Sequence, residues 1–121
     1  MLRGMWEIEV TDEFIAWYDG LDQGQVEAVG GAMERLQEYG PTLTRPLADT
    51  LKGSRHANMK ELRPPGGHLR ILFAFDPRRM AILLIGGDKT GRWREWYREA
   101  IPLADNLYDE HLETLKKEEQ L

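Results

Sequence analysis

The sequence predicts an α+β protein whose elements follow in the order β-α-α-β-β-β-α. Three stretches of alternating apolar and polar residues, separated by two turn sequences, indicate a mainly antiparallel sheet. Two stretches with helical periodicity precede them, and an amphipathic segment follows. We expect one domain over residues 1–121, with a twisted sheet that carries the two N-terminal helices on one face and is followed by a C-terminal helix.

The N-terminal third contains the signals of one strand and two helices. "MWEIEV" (5–10) alternates apolar and charged residues, which predicts the first strand. Asp12 is the expected N-cap of the first helix, and Asp22 with Gln25 predicts a capping box at the start of the second. The second helix contains the glycine pair 30–31. Each glycine costs about 1 kcal/mol relative to alanine, so we expect close packing there as compensation.

The rest of the chain contains three strand signals and two helix signals. Residues 41–57 are predicted to be a polar connection without regular structure. Strands are expected at about 58–63, 68–75 and 80–87, separated by the turns Pro-Pro-Gly-Gly (64–67) and Asp-Pro-Arg-Arg (76–79). After a loop, a short helix over 93–100 should stop before Pro102, and a last helix should run from about 103 to 118.

The two turns fix which residues of neighbouring strands face each other. In this register Glu61 lies opposite Arg70. One sheet face then forms an apolar core against the first two helices, with Leu62, Leu69, Ile71, Phe73, Phe75, Ile82 and Leu84. The other face is polar at one end, with Glu61, Arg63, His68 and Arg70, and apolar at the other, with Leu72, Leu83 and Ile85. We expect the C-terminal helix, which ends in "HLETLKKEEQL", or a partner to cover the apolar end.

The formal net charge of −5 is unevenly distributed along the chain. Residues 1–51 carry a net charge of −7, residues 52–98 carry +7, and residues 99–121 carry −5. A basic middle segment of this kind indicates a local site for a polyanion. The alternative is that the acidic helices only neutralise a basic sheet within the fold.

The residue types that are missing exclude several classes of protein. The chain has no cysteine, which excludes disulfides and thiolate metal sites. Its three histidines are scattered without ligand spacing, so we expect no metal and no other cofactor. The sequence lacks an apolar run of the roughly 18 residues that a membrane span needs, and its N-terminus lacks a signal peptide. We therefore expect a cytoplasmic protein.

Basic and aromatic residues alternate in "GGDKTGRWREWYREA" (86–100). Such a mixture suits single-stranded RNA, because cations bind phosphates while flat rings stack on unpaired bases. The candidates are Lys89, Arg92, Arg94 and Arg98 together with Trp93, Trp96 and Tyr97. The alternative is that at least two of the three rings pack the last helix onto the sheet.

The order of these elements resembles the RelE/ParE toxin superfamily, over about residues 5–100. The most specific segments are Leu62-Arg63, Arg70 with the apolar run after it, and Asp88-Lys89-Thr90. The chain is most similar to the HigB-like, phage-derived toxins of bacterial type II toxin-antitoxin systems. The resemblance implies a RelE-like fold and a metal-independent endoribonuclease that cleaves messenger RNA on the ribosome. It also implies a cognate antitoxin, of the helix-turn-helix type, as partner.

In this family the 2′-hydroxyl of the RNA attacks the adjacent phosphate, which requires a base, cations and an acid. Arg70 matches the central-strand arginine that stabilises transition-state charge, and Lys89 matches the basic residue after the last strand. Tyr97 lies near a base-stacking or acid/base tyrosine of some members. Arg63 is similar to an accessory phosphate contact. Arg92 and Trp96 complete the predicted RNA-binding set.

Two positions leave the roles open. Glu61 lies where the best-known ribonuclease members have a lysine, so it is either the general base or an ion-pair partner of Arg70. His68 is either a substitute acid or base, since imidazole titrates near neutral pH, or a surface residue beside a turn. Two other functions also remain open. One is a ParE-like inhibitor that binds DNA gyrase without catalysis, and the other is a degenerate toxin that acts only as a binding module.

Overall fold

The computed structural model describes residues 5–118 and confirms the α+β class. The strands are β1 (Ile8–Val10), β2 (Ala48–Thr50), β3 (Lys60–Leu62), β4 (Leu69–Phe75) and β5 (Ala81–Asp88). The helices are α1 (Asp12–Asp19), α2 (Gln23–Tyr39) and α3 (Trp93–Lys117), with a 3₁₀ turn at Gly40–Thr42. The sheet order is β1-β5-β4-β3-β2, in which only the β1–β5 pair is parallel. The last three residues of the amphipathic "HLETLKKEEQL" segment, 119–121, lie outside the described residues.

The first two helices begin with side-chain caps, one of them at an unexpected residue. The N-cap of α1 is Thr11 and not Asp12: the Thr11 hydroxyl accepts a hydrogen bond from the Phe14 N–H at 3.0 Å. The same hydroxyl donates to the Leu84 carbonyl at 2.6 Å, so it also ties the start of α1 to β5. The capping box of Asp22 and Gln25 is confirmed at the start of α2.

The edge strand β2 lies inside the segment that was expected to have no regular structure. It pairs antiparallel with β3, from Ala48 opposite Leu62 to Thr50 opposite Lys60. A strand of three residues is too short to show a periodic pattern in the sequence. Its position depends on β3, which offers it a free edge.

Helix α3 is continuous through Pro102, so the predicted break at this residue is wrong. The buried residues Trp96 and Ala100 precede Pro102 on the helix, and Ala104 and Leu107 follow it. All four pack into one core cluster on the same sheet face. We infer that this packing offsets the hydrogen bond lost at the proline.

The hairpin between β4 and β5 is one residue out of the predicted register, because Phe75 pairs with Ala81. The Asp76 N–H donates to the Met80 carbonyl at 2.9 Å, and Arg79 has a φ of 70°. A three-residue loop that ends in a left-handed residue closes in this way. The shift moves Leu83 to the face of α1 and α2, and it moves Ile82 and Leu84 to the face of α3. The predicted faces of these three residues are therefore wrong.

The sheet separates two apolar cores. Helices α1 and α2 cover one face, with Phe14, Val29 and Leu36 on Leu62, Ile71 and Phe73. Helix α3 covers the other face, including Leu72, which is fully buried. Leu83 is buried in the first core, and Ile85 is half-buried beside α3. Two covers were expected for the apolar end of the sheet, the C-terminal helix or a partner. At Leu72 and Ile85 the structure shows the helix.

Tight glycine packing occurs on β5 and not on α2. An added Cβ at either residue of the pair 30–31 meets no atom within 4 Å, so the expected compensation there is wrong. A Cβ at Gly86 would lie 2.2 Å from the Trp17 ring, and one at Gly87 would lie 2.1 Å from Nε1 of Trp96. Two tryptophans therefore pack on opposite faces of β5, where only glycine leaves room for them.

Candidate functional site

A buried carboxylate lies at the centre of the polar end of the sheet. The side chain of Glu61, on β3, is 6% exposed. Its Oε2 accepts hydrogen bonds from Arg63, from Nε at 3.1 Å and from Nη2 at 2.7 Å. Its Oε1 accepts a hydrogen bond of 2.6 Å from the hydroxyl of Tyr97, which lies on α3. We call Glu61, Arg63, Arg70 and Tyr97 the arginine cluster.

Arg70 joins this cluster from β4 with part of its donor capacity unused. Its Nε lies 3.9 Å from Oε1 of Glu61, a long ion pair, and Nη1 donates to the Leu69 carbonyl at 2.8 Å. The Nε atom is buried and has no hydrogen-bond partner among residues 5–118. The register differs from the predicted one, since Glu61 pairs with Leu72, but a shift of two residues keeps both side chains on one face. A buried guanidinium nitrogen without a partner suits an incoming anion.

The tyrosine of the cluster is a proton donor at neutral pH. Burial raises the pKa of Tyr97 to about 12, and the hydrogen bond to Glu61 acts in the same direction. Arg70 acts in the opposite direction, because its positive charge favours the phenolate. The hydrogen bond to Glu61 raises the pKa of Arg63 above its ordinary value, so this cation stays charged.

The cluster borders a cavity of about 380 Å³ between β2, β3 and the first turns of α3. Asp49 on β2 closes one side: it lies 2.8 Å from Nε of Arg45 and 3.6 Å from Nη2 of Arg63. The hydrogen bond from Arg45 lowers the pKa of Asp49. Tyr97 and Trp93 line the side that α3 provides. Charged groups of both signs therefore surround an opening that also has two aromatic walls.

Two of the predicted catalytic residues lie apart from the arginine cluster. His68 is exposed at the end of the β3–β4 turn, in a different cavity that includes Asp88 and Thr90. The backbone N–H of Lys89 donates to the His68 carbonyl at 3.1 Å. Within the described part of the chain, no hydrogen bond or ion pair links the side chain of either residue to the cluster. The roles expected of His68 and Lys89 remain predictions.

The predicted RNA-binding residues divide into exposed and buried ones. Arg63 and Tyr97 belong to the arginine cluster, while Arg92 is exposed and pairs with Glu99 at 3.1 Å. Trp96 is 8% exposed and packs against Gly87, so for this residue the packing alternative applies and its ring is not a free stacking surface. Trp93 is 53% exposed. Trp93 was one of the three candidate rings of 86–100 but not part of the final predicted RNA-binding set, although it lies four residues before Tyr97 and so on the same side of a helix.

A second polar network fastens the C-terminal half of α3 to the sheet. Asp76 has a fully buried side chain, and its Oδ2 lies 2.8 Å from Nε2 of His111 and accepts a hydrogen bond of 2.7 Å from Arg78. Arg78 also reaches Glu9 on β1 at 3.1 Å. Burial would raise the pKa of Asp76, but the hydrogen bonds from His111 and Arg78 outweigh it and lower the pKa. Every group here has a partner, which indicates a structural role.

Residues 5–118 contain neither a cluster of metal ligands nor a helix that could span a membrane. No three histidine or acidic side chains converge there in a way that could hold a metal ion. No helix in this range is both long and apolar enough to cross a membrane.

Comparison with known proteins identifies the family. Residues 16–109 match the family described as phage-derived protein Gp49-like. HigB2 of Mycobacterium tuberculosis, which is named as a toxin, is 52% identical over 110 residues, 88% of this chain and 54% of HigB2. HigB3 of the same organism, also named as a toxin, is 53% identical over 89 residues, 74% of this chain and 78% of HigB3. The chain thus spans about half the length of HigB2 and a larger share, 78%, of the length of HigB3.

A solved structure supports the same placement at the level of the fold. The RelE–RelB complex from Pyrococcus horikoshii OT3 matches 73% of this chain and 98% of that chain, with a TM-score of 0.58 at 14% identity. At this identity the likeness concerns the arrangement of strands and helices alone. Together with the family match and the HigB identities, it shows that the chain belongs to the phage-derived Gp49-like family of HigB-like proteins and has a RelE-like fold.

Proposed function

We propose that this chain is the toxin of a type II toxin-antitoxin system and that it cleaves messenger RNA on the ribosome in the cytoplasm. The observation that carries the proposal is the arginine cluster. Two arginines and a protonated tyrosine meet at one buried carboxylate, beside a cavity that is open to solvent. The family supports the toxin role, since HigB2 and HigB3 are both named as toxins.

In this proposal the scissile phosphate binds against Arg70. The Nε of Arg70 has no hydrogen-bond partner among residues 5–118, so it is free to donate to a phosphate oxygen once a side-chain movement exposes this buried atom. When the 2′-hydroxyl attacks, negative charge grows on the phosphate oxygens, and a fixed guanidinium stabilises that charge more than it stabilises the ground state. Arg63 supplies a second cation from the other side of Glu61.

The proton donor and acceptor follow from the hydrogen bonds of Glu61. Tyr97 keeps its proton at neutral pH and so has one to give to the leaving 5′-oxygen, although its raised pKa of about 12 makes it a weak acid until RNA binding changes its surroundings. Glu61 is the candidate base, because it lies within the cluster whereas His68 is exposed and lines a different cavity. To accept the 2′-hydroxyl proton, Glu61 must release one of the three hydrogen bonds it now accepts from Arg63 and Tyr97. Lys89 remains a proposed second phosphate contact.

The proposed partner is an antitoxin of the helix-turn-helix type. Support comes from the fold neighbour, which was solved as a RelE–RelB complex, and from the cationic groups around the open cavity. An acidic antitoxin segment that covers Arg63 and Arg70 would block access of RNA. We expect the purified pair to be inactive and the free toxin to be active.

The hydrogen bonding of Glu61 also favours a second candidate function. A carboxylate held by Arg63 and Tyr97 is satisfied without a substrate, which is what a binding protein with no catalytic base would show. A ParE-like inhibitor that binds DNA gyrase, or a degenerate toxin that only binds a partner, therefore remains the alternative.

The test is to express the chain and its Arg70→Ala variant in bacteria and to map messenger-RNA 5′ ends. We expect new cuts at codon-related positions in the parent. In the variant, the frequency of these cuts should be about 10²- to 10³-fold lower. Arg35→Ala is the matched control, since Arg35 is an exposed arginine on α2 whose one ion pair among residues 5–118 is with nearby Glu38 at 3.5 Å. Growth arrest without new 5′ ends would contradict the nuclease and favour gyrase, and no arrest would leave only the binding module.

A further inference from the structure

Trp93 is an exposed aromatic ring at the entrance of the cavity beside the arginine cluster. It is the first residue of α3, and 53% of its surface is exposed. Exposed tryptophans are uncommon in proteins, because burial of the indole ring stabilises the fold. Trp6 and Trp17 are partly buried against apolar neighbours, and Trp96 is buried in the core under α3.

Trp93 and Tyr97 line the same cavity from α3. The two residues are four apart on one helix, so their side chains share a side of α3. The Tyr97 ring is fixed by the hydrogen bond from its hydroxyl to Glu61. The guanidinium of Arg94 lies 5.2 Å from the centre of the Trp93 ring, which adds a cation at the aromatic surface.

The cavity also carries a cation that is not engaged in an ion pair. Lys52 is exposed on the lining, and it has no hydrogen bond or ion pair with any other described residue. Arg45 and Arg63 line the cavity as well, each paired with a carboxylate. Asp49 and Glu61 on the same lining offset the two arginines, so Lys52 is the cation left to meet an anion. This lysine and two aromatic rings around about 380 Å³ match a nucleotide, which has a flat apolar base and an anionic phosphate.

We propose that this cavity is a nucleobase subsite for single-stranded RNA in which a base stacks on Trp93 while Lys52 contacts its phosphate. The inference rests on the proposed function, since it concerns the nucleotide next to the phosphate at Arg70. The subsite deepens that function by assigning a residue that selects or orients the RNA, separate from the groups that act on the phosphate. Trp93 is thus a binding residue and not a catalytic one.

Two variants with a matched control test the stacking role. Trp93→Ala removes the ring, Trp93→Phe keeps a smaller one, and Leu103→Ala changes another exposed apolar side chain of α3 that does not line this cavity. The probe is a fluorescently labelled pentanucleotide of mixed sequence with 2′-fluoro riboses, which lacks the attacking 2′-hydroxyl. Fluorescence anisotropy then gives the affinity without cleavage.

We expect Trp93→Ala to weaken binding about 5- to 150-fold, as loss of one stacked base does. Trp93→Phe should keep most of the affinity, Leu103→Ala should keep all of it, and Lys52→Ala should lower it, because a phosphate contact is lost. Equal binding by the parent and Trp93→Ala would overturn the inference, as would a parent that does not bind the probe.

Mapping of 5′ ends in the same variants separates this inference from the proposed function. If Trp93→Ala still cuts messenger RNA but with altered sequence preference, the result supports both the nucleobase subsite and the nuclease function. Cuts with unchanged positions and frequencies in Trp93→Ala would overturn the subsite and leave the nuclease intact. Binding of the probe that depends on Trp93, in a parent that cuts no RNA, would overturn the nuclease and leave the subsite.

Discussion

Replacing Gly87 with alanine tests the packing that holds α3 on the sheet. The new Cβ would lie 2.1 Å from Nε1, 2.6 Å from Cε2 and 2.9 Å from Cζ2 of Trp96. Real Cβ atoms essentially never approach other atoms within 3.0 Å, so the ring or the strand must move. The ring is 8% exposed within the α3 core, and β5 is held by its pairing with β4 at Arg70.

The expected cost follows from this lack of free space. Overpacking a core costs about 1–3 kcal/mol, and we expect the upper part of this range because three ring atoms are involved. For a protein of this size, a loss of about 2–3 kcal/mol lowers the melting temperature by roughly 6–15 °C. Displacement of Trp96 should also disturb the neighbouring Tyr97, and so its hydrogen bond to Glu61.

A second glycine provides a control, because its replacement with alanine should raise the stability of the fold and not lower it. Gly31 lies on the exposed side of α2, and an added Cβ there meets no atom within 4 Å. Gly31→Ala should therefore stabilise the protein by up to about 1 kcal/mol, through the higher helix propensity of alanine. Thermal and urea unfolding, followed by circular dichroism, measure both variants. If Gly87→Ala melted at or above the parent, the packing of Trp96 on β5 would be refuted.

Two further predictions concern the buried carboxylates. Glu61→Gln should lower the pKa of Tyr97 below its value of about 12, because the charge that opposes ionisation is lost while burial remains. Spectrophotometric titration of the tyrosines detects this shift, and an unchanged curve would contradict the Tyr97–Glu61 contact. The pKa of Asp76 is lowered in the folded protein, so its charge stabilises the fold above the ordinary value of 3.8, and this stability is lost as pH falls through the lower folded value. Asp76→Asn removes the buried partner of Arg78 and His111, which should cost about 3 kcal/mol at pH 7, and urea unfolding should show a smaller difference near pH 3. A difference that did not depend on pH would refute the charged network.

Several features of this protein could be predicted from the sequence because their signals are local. The capping box of Asp22 and Gln25 depends on residues three positions apart, and it formed as expected. Turn residues and alternating apolar positions gave the three central strands and the α+β class. Glu61 and Arg70 were placed on one face correctly although the register was wrong, since a shift of two residues preserves the face.

Other features were decided by contacts between distant parts of the chain. Helix α3 continues through Pro102 because apolar residues both before and after the proline pack on the sheet. No local signal at the proline reveals this packing. The close approach that was expected at the glycine pair of α2 occurs instead at β5, where two tryptophans reach the strand from different helices.

The candidate site itself shows the same division. The sequence indicated that basic and aromatic residues in 86–100 could meet RNA, but it could not show which ring faces outward. That choice depends on how α3 docks: Trp96 points into the core, Tyr97 reaches Glu61, and Trp93 is left at the cavity. The sequence by itself determined which chemical groups are present and that Glu61 and Arg70 share a sheet face. Only the tertiary structure decided which of them meet, because the rotation of a helix on a sheet is set by packing over its whole length.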